Sequence, residues 1–330
     1  MNIEGFLRTP AAALRRTAAG LLGLALLTPA TAQVPARFYW KNLEGGAAVP
    51  LIFQSLSGNT NPFDPSHRVV QGGYLEGTLA MAGYGQTFSL SGRPAMLAFL
   101  VPMGRLNGEI TAAGKTVSES AHGYADPLIE FDINLIGPRT QKNIPDAMRY
   151  EPGFSLDLIA DLAIPIGNYD NTKQLNLDQN RWYGRLGFPI VWEFGSWVPG
   201  RRTTLEFLPV AWVFGTNTDF VGQSLKTDPL YQLDAHLTRD FTRHLWGSLD
   251  GVWYSGGGST INGSGGGKKL NNSGIGFTLG YQINENIGLT FGYKSTVNDH
   301  APEALRMDNF MVSLVFGWHP LVEGMNRLRN

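Results

Sequence analysis

The residues best suited to chemistry are six histidines and a set of carboxylates. No two histidines have the His-x-x-x-His spacing of a helical metal site. Ser66 and His67 are neighbours in the chain, so in an extended segment they point apart. Asp234 and His236 share one parity of an alternating stretch, and Asp250 follows in the next one. These three residues could form a metal or acid–base cluster, although a polar lining of the interior is the favoured interpretation.

The stretches that carry these residues alternate with a period of two, which predicts β-strands. From Gly274 to Lys294, large apolar residues hold one parity and mainly glycine and threonine hold the other. A soluble sandwich would carry charge on its second face, whereas an outer-membrane barrel can turn the apolar face to lipid. The predicted lipid-facing residues are Ile275, Phe277, Leu279, Ile287, Leu289 and Phe291, with Tyr281, Tyr293 and Trp318 in an aromatic girdle. The glycines would then face inward and leave room for side chains or for a plug.

The composition agrees with an exported barrel. Charged residues make up only 16% of the chain, against about 25% in soluble domains, and there are 41 glycines and no cysteine. Arg8, Arg15 and Arg16 precede a short apolar run, Leu21–Leu27, and Ala30–Ala32 is a small-x-small cleavage site. Residues 1–32 are therefore predicted to be a cleaved signal peptide, and residues 33–330 an outer-membrane β-barrel. No strong basic patch points to nucleic acid as a partner.

Twelve strands are predicted for this all-β, antiparallel transmembrane barrel, and fourteen if the first third hides another pair. The strands are expected near residues 47–55, 68–80, 93–104, 127–137, 152–164, 180–195, 202–214, 229–240, 243–254, 272–283, 286–295 and 307–318. Short links at residues 241–242 and 284–286 are typical of periplasmic turns. The long glycine-rich link Ser255–Asn271 is expected to be a mobile outer loop.

The barrel interpretation turns one parity of each strand toward the lumen. The candidate lumen-facing residues are Glu130, Asp132, Asp157, Asp161, Asp234, His236 and Asp250. The carboxylates would either pair with Arg or Lys and stabilise the barrel, or make the lumen prefer cations or order a plug. A candidate apolar substrate path is formed by Met96, Leu100, Leu208 and Trp212. No catalytic, cofactor-binding or metal-binding residue is assigned.

Four blocks of the sequence carry a family resemblance: "IPIGNYD" from Ile164, "LNLDQNRW" from Leu175, "DPLYQLDAHL" from Asp228 and "LWGSLDGVWYSGGGSTING" from Leu245. In order and spacing they resemble the outer-membrane barrels of the phenol meta-cleavage (MetA) pathway family, whose members are often labelled simply "transporter". The resemblance runs from about Val49 to Trp318. It implies a link to the degradation of aromatic compounds.

The expected function is passive uptake of small hydrophobic or aromatic compounds across the bacterial outer membrane. Its partners would be the lipid bilayer, such solutes and the barrel assembly machinery. The first alternative is a general or weakly cation-selective porin, and the second is an outer-membrane enzyme or a structural barrel without transport. A continuous water-filled lumen lined by charge would favour the porin.

Overall fold

The computed structural model describes residues 35–40, 43–112, 115–143, 153–195, 198–298 and 300–320. The predicted signal peptide, residues 1–32, and the end of the tail lie outside this part of the chain. Eighteen strands are described: β1 (Ala47–Gly58), β2 (Gly73–Leu90), β3 (Arg93–Ala112), β4 (Lys115–Tyr124), β5 (Leu128–Ile136), β6 (Phe154–Ala163), β7 (Tyr183–Gly187), β8 (Ile190–Phe194), β9 (Thr203–Phe214), β10 (Asn217–Phe220), β11 (Gln223–Thr227), β12 (Leu230–Asp240), β13 (Leu245–Gly256), β14 (Ser259–Ile261), β15 (Ser264–Gly267), β16 (Leu270–Gln282), β17 (Ile287–Thr296) and β18 (Met307–Trp318).

The large sheet closes on itself into a barrel. Around the wall the order is β1, β2, β3, β5, β6, the β7–β8 pair, β9, β12, β13, β16, β17 and β18. Strand β18 pairs antiparallel with β1, from Ala47 opposite Trp318 to Gly58 opposite Met307. Closure satisfies the hydrogen bonds of the edge strands, which lipid cannot do. The prediction of a twelve-stranded antiparallel barrel is confirmed.

One predicted strand, 180–195, is split into β7 and β8, which together fill a single position between β6 and β9. The break falls at Phe188-Pro189. Pro189 has no N–H to give to the ladder, and the backbone N–H of Phe188 donates to the carbonyl of Pro209. The prediction also placed the second strand too early, since β2 begins at Gly73, and it missed β4, which pairs with the outer half of β3.

The predicted mobile loop is instead ordered, and that expectation was wrong. Strands β14 and β15 form a hairpin there and join β10 and β11 in a second, four-stranded sheet outside the wall. Ile261 pairs with Ser264, and Asn262 and Gly263 between them both have positive φ, 49° and 79°. This is the backbone of a two-residue hairpin turn for which Asn-Gly is the favoured sequence. The Asn262-Gly263 dipeptide therefore indicates this hairpin in the sequence.

The outward parity of the wall is apolar and exposed. Ile275 is 60% exposed and Leu249 is 70% exposed, and the same outward face carries Phe277, Leu279, Leu289 and Phe291. Ile287, Tyr293 and Trp318 are half-buried. Among the described residues, no helix is long and apolar enough to cross a bilayer.

Candidate transport path through the barrel

The inward glycines make room for large side chains from neighbouring strands. A Cβ atom on Gly280 would lie 2.1 Å from Cε2 of Trp246, and one on Gly276 would lie 2.5 Å from Cγ of Lys294. The bare face of β16 therefore packs against the indole ring of Trp246 and the aliphatic part of the Lys294 side chain. This explains in packing terms why the sequence alternates large apolar residues with glycine there.

A short segment before β1 lies inside the barrel. This segment, Pro35–Trp40, is called the plug below. Ala36, Phe38, Tyr39 and Trp40 are buried, as is the side chain of Arg37. Asp240 and Thr87 are wall residues beside the plug, and the turns that follow them in the chain are short. The plug therefore lies near the end of the barrel that carries the tight turns, which is the periplasmic end of such barrels.

Polar groups hold the plug in place. The Arg37 guanidinium donates to Oδ1 of Asp240 at 2.6 Å and to the hydroxyl of Thr238 at 3.1 Å. The Arg37 backbone N–H and the Trp40 indole N–H both donate to Glu206, at 2.7 and 2.8 Å. The guanidinium also lies over the rings of Trp40 and Trp246, at 4.2 and 4.4 Å from their centroids. Such charge-assisted bonds in a buried site fix one position for the segment.

In the sequence analysis, the plug was not assigned to any particular residues. Its residues follow no strand period, and Arg37 lies 203 positions from Asp240 in the chain. The available signal was the aromatic run Phe38–Trp40 next to an arginine, directly after the predicted cleavage site. Composition of this kind indicates a buried segment, but it does not tell which strands cover it.

The first group of predicted lumen carboxylates surrounds Arg185 on β7. Arg185 forms ion pairs with Asp161 and, at 3.3 Å, with Glu130. Both carboxylates and the guanidinium are buried. Asp132 lines a cavity beside the plug residues Phe38, Tyr39 and Trp40. Asp157 is buried and accepts a hydrogen bond from the Asn134 amide at 2.6 Å. This group joins three neighbouring strands through one cation.

The second group lies on β12 and β13. Asp234 contacts the Lys294 ammonium at 3.5 Å, and Nδ1 of His236 lies 2.7 Å from Oδ1 of Asp250. The Ser248 hydroxyl donates to Asp250 rather than to His236, so the imidazole is not placed to activate it as a nucleophile. Among the described residues, no group of three His, Asp or Glu side chains is arranged to hold a metal ion.

The four residues of the predicted apolar path are all buried and belong to one apolar cluster: Met96, Leu100, Leu208 and Trp212. Met96 lines the cavity beside the plug. Trp212 donates its indole N–H to Gln232 at 3.1 Å and lies under the Arg185 guanidinium, 5.4 Å from the ring centroid. The inner wall therefore has an apolar region on β3 and β9, next to charged groups on β5 to β7 and on β12 and β13.

At the other end of the barrel, the loop between β1 and β2 folds over the opening. Asp64 in this loop forms an ion pair with Arg181 at 3.3 Å, and both are buried. His67 packs edge-on against Tyr254, with ring centroids 5.0 Å apart. Neither imidazole nitrogen has a hydrogen-bond partner among the described residues. Burial lowers the pKa of His67 from 6.5 to about 4, against the smaller opposing effect of Asp64.

The sequence model of one protein family, described as "Putative MetA-pathway of phenol degradation", matches residues 58–314. The chain belongs to this family. A comparison with curated proteins finds no match. The fold is similar to that of the COG4313 outer membrane channel from Pseudomonas putida F1, with a TM-score of 0.71 and 16% identity over 87% of this chain and 100% of that one.

Two further solved structures overlap less closely. The translocator domain of the autotransporter NalP from Neisseria meningitidis has a TM-score of 0.45 and 12% identity, over 84% of this chain and 90% of that one. The NanC porin has a TM-score of 0.43 and 8% identity, over 81% and 98%. The predicted family and fold are both confirmed. A closed barrel with an apolar outer face places this family member in the bacterial outer membrane, in contact with lipid.

Proposed function

We propose that this protein of the phenol-degradation family is a channel for passive uptake of small hydrophobic or aromatic compounds. The observation that carries the proposal is the position of the plug beside an apolar inner wall. Its aromatic residues Phe38, Tyr39 and Trp40 share one cavity with Met96. A plug held by hydrogen bonds and ion pairs can move without breaking any wall strand, which is what a solute path through a closed barrel requires.

An aromatic solute fits this interior better than a sugar does. Beside Met96, Leu208 and Trp212, a ring loses water from its faces and gains apolar contact, worth about 25 cal/mol per Å² of buried surface. A few kcal/mol of binding is weak enough for release on the far side. The description of the family, which names phenol degradation, supports the same solute class.

A weakly cation-selective porin is the second candidate, and a charge imbalance favours it. Among the described residues, nine buried carboxylates on the wall strands face four buried cations, which lie on the wall strands, in the plug and directly before β9. The carboxylates are Glu130, Asp132, Asp157, Asp161, Glu193, Glu206, Asp234, Asp240 and Asp250, and the cations are Arg37, Arg185, Arg202 and Lys294. An excess of negative charge in a lumen attracts cations.

The proposal assigns no catalytic role. The His236–Asp250 pair has a serine beside it, but that serine donates to the carboxylate, so a stabilising polar network is the better interpretation. We further propose that residues 1–32 direct export as a signal peptide and that the barrel assembly machinery inserts the chain. Both steps are expected for a closed barrel of the outer membrane.

A deletion strain tests the proposed function. Loss of the protein should slow growth on a sparingly soluble aromatic carbon source and leave growth on small sugars unchanged. Complementation with the wild-type chain should restore the rate. Equal growth of the two strains on the aromatic source, or equal slowing on sugars, would contradict uptake of aromatic compounds and favour the porin.

A further inference from the structure

A recess at the loop end of the barrel contains an arginine whose guanidinium has no hydrogen-bond or ion-pair partner among the described residues. Arg68, in the loop between β1 and β2, lines this recess together with Phe220 and Leu225 of the outer sheet. The recess is partly open to solvent. It lies between the loop 59–72, the loop 164–182 and the outer sheet, all at the end opposite the tight turns.

The Arg68 guanidinium has unused hydrogen-bonding capacity. Its Nε atom is buried without an acceptor, and the guanidinium forms no hydrogen bond or ion pair with the described residues. It lies over the Phe220 ring at 5.0 Å from the centroid. The nearby Asp64 is already paired with Arg181 at 3.3 Å. A partly buried cation without an acceptor is costly for the protein alone.

Two of the other polar side chains that line the recess are already hydrogen-bonded within the protein. Asn176 donates to the carbonyls of Asp170 and Lys173. Asn217 donates to the Tyr169 hydroxyl at 2.9 Å, which in turn donates to the carbonyl of Asp219. These bonds build the walls of the recess, and the Arg68 guanidinium keeps donors that can meet a ligand.

The lining also contains four apolar side chains. Phe220, Leu225 and Leu175 are buried, and Val70 packs against the apolar cluster that contains Leu175. A ligand that satisfies this site needs an oxyanion for the planar donors of Arg68 and an apolar body for these side chains. Asp64 and Asp178 also line the recess, and their carboxylates disfavour a second negative charge on the ligand.

We propose that this recess binds the carboxylate of a small aromatic monoacid through Arg68, with the ring against Phe220 and Leu225. Such a ligand would be a solute held at the outer mouth before it enters the barrel, so its role in uptake rests on the proposed channel function. Binding itself does not depend on transport. The assignment therefore adds organic acids to the solutes that the channel receives.

Calorimetric titration of the full-length, folded barrel in detergent tests the site, with sodium benzoate as the probe and empty micelles as the blank. Benzyl alcohol tests the need for the carboxylate, and inorganic phosphate tests the need for the ring. The variants are Arg68→Met, Arg68→Lys and the control Arg306→Met, which removes an exposed arginine at the same end. Heat-modifiability on a gel shows which variants are folded.

Benzoate should bind the wild type and Arg306→Met equally, and Arg68→Met about tenfold or more weakly, because a charge-assisted pair is lost. Arg68→Lys should lie between them, since lysine keeps the charge without the planar donors. If Arg68→Met does not fold, the comparison of wild type with Arg68→Lys carries the test. Equal benzoate affinity across the folded variants, or equal wild-type affinity for benzyl alcohol or phosphate, would overturn the proposal.

Uptake separates this proposal from the channel function. If benzoate binds through Arg68 but vesicles bearing the barrel take up no aromatic solute, the site stands and the channel function is wrong. If aromatic solutes enter and benzoate binding does not depend on Arg68, the site is wrong and the channel function stands.

Discussion

Arg37 and Asp240 form a buried ion pair across the inside of the barrel, with Nη1 of the arginine 2.6 Å from Oδ1 of the aspartate. Asp240 ends β12 and is held from the other side by Arg202 at 2.8 Å. One carboxylate thus joins the plug to the wall. Breaking a buried pair by removing one partner is costly, so the plug has one preferred position from which a solute or a mutation can displace it.

Replacement of Arg37 by alanine should loosen the plug and open the path. The variant loses the bonds to Asp240 and Thr238 and the stacking on Trp40 and Trp246. Single-channel recordings in planar bilayers should give a larger or more frequently open conductance than the wild type. Arg239→Ala, on the exposed face beside Asp240, is the control and should behave as the wild type does. Identical conductance in all three proteins would show that the plug does not gate the path.

Gly280→Ala should both destabilise the barrel and disturb the plug. The new Cβ would lie 2.1 to 2.3 Å from three atoms of the rigid Trp246 ring, which must move away from Arg37. Overpacking of this kind costs about 1–3 kcal/mol of unfolding free energy. The matched control is Gly251→Ala on the neighbouring strand, where a Cβ would meet no atom within 4 Å. Urea unfolding in lipid vesicles measures both, and equal stabilities would contradict the packing described here.

The double variant Asp234→Asn/Asp250→Asn should reduce the preference of the channel for cations. It removes two of the nine buried carboxylates and leaves Lys294 without its partner Asp234. Reversal potentials in a salt gradient should shift toward anions, while membrane insertion stays intact. Glu109→Gln, an exposed change on β3, should have no effect. Unaltered selectivity and melting of the double variant would exclude these residues from the solute path.

His67, whose imidazole has no hydrogen-bond partner among the described residues, should make the loop end sensitive to acid. The unfolded chain protonates this histidine near pH 6.5, whereas burial holds its pKa near 4 in the folded protein. Stability is therefore lost as pH falls from 6.5 toward 4, by about 2 kcal/mol at pH 5. His67→Phe keeps the packing on Tyr254 and should lose less stability than the wild type over this range.

Unfolding free energies measured at pH 7.5, 6 and 5 test this expectation. The exposed His244→Asn variant is the control and should follow the wild type. If His67→Phe and the wild type lose stability in parallel, another group controls the acid response.

The wall could be predicted from sequence because each of its strands must show apolar residues to lipid. The alternation around Ile275 and Leu279 follows from that single requirement, and it fixed the inward parity of Asp234 and Asp250 as well. The partners of those carboxylates could not be predicted. Lys294 on β17 meets Asp234 on β12 although two strands, β13 and β16, lie between them in the wall.

The period-two alternation predicts only the wall strands, so it did not predict the plug. The plug is defined by contacts with Glu206 and Asp240, which lie more than 160 positions away. Two other features have local signals in the sequence. Asn262-Gly263 marks the hairpin of the outer sheet, and Pro189 marks the break between β7 and β8. Such signals report backbone geometry and not the identity of a partner.

Uptake into vesicles tests the central claim most directly. Proteoliposomes with lipopolysaccharide in the outer leaflet, which slows entry through lipid, should take up a labelled neutral aromatic compound faster when they contain the barrel. Uptake by Arg37→Ala should be faster still, and leakage of entrapped sugars through the wild type should remain slow. Equal aromatic uptake by empty and barrel-containing vesicles, together with rapid leakage of sugars and ions, would contradict the account and identify a general porin.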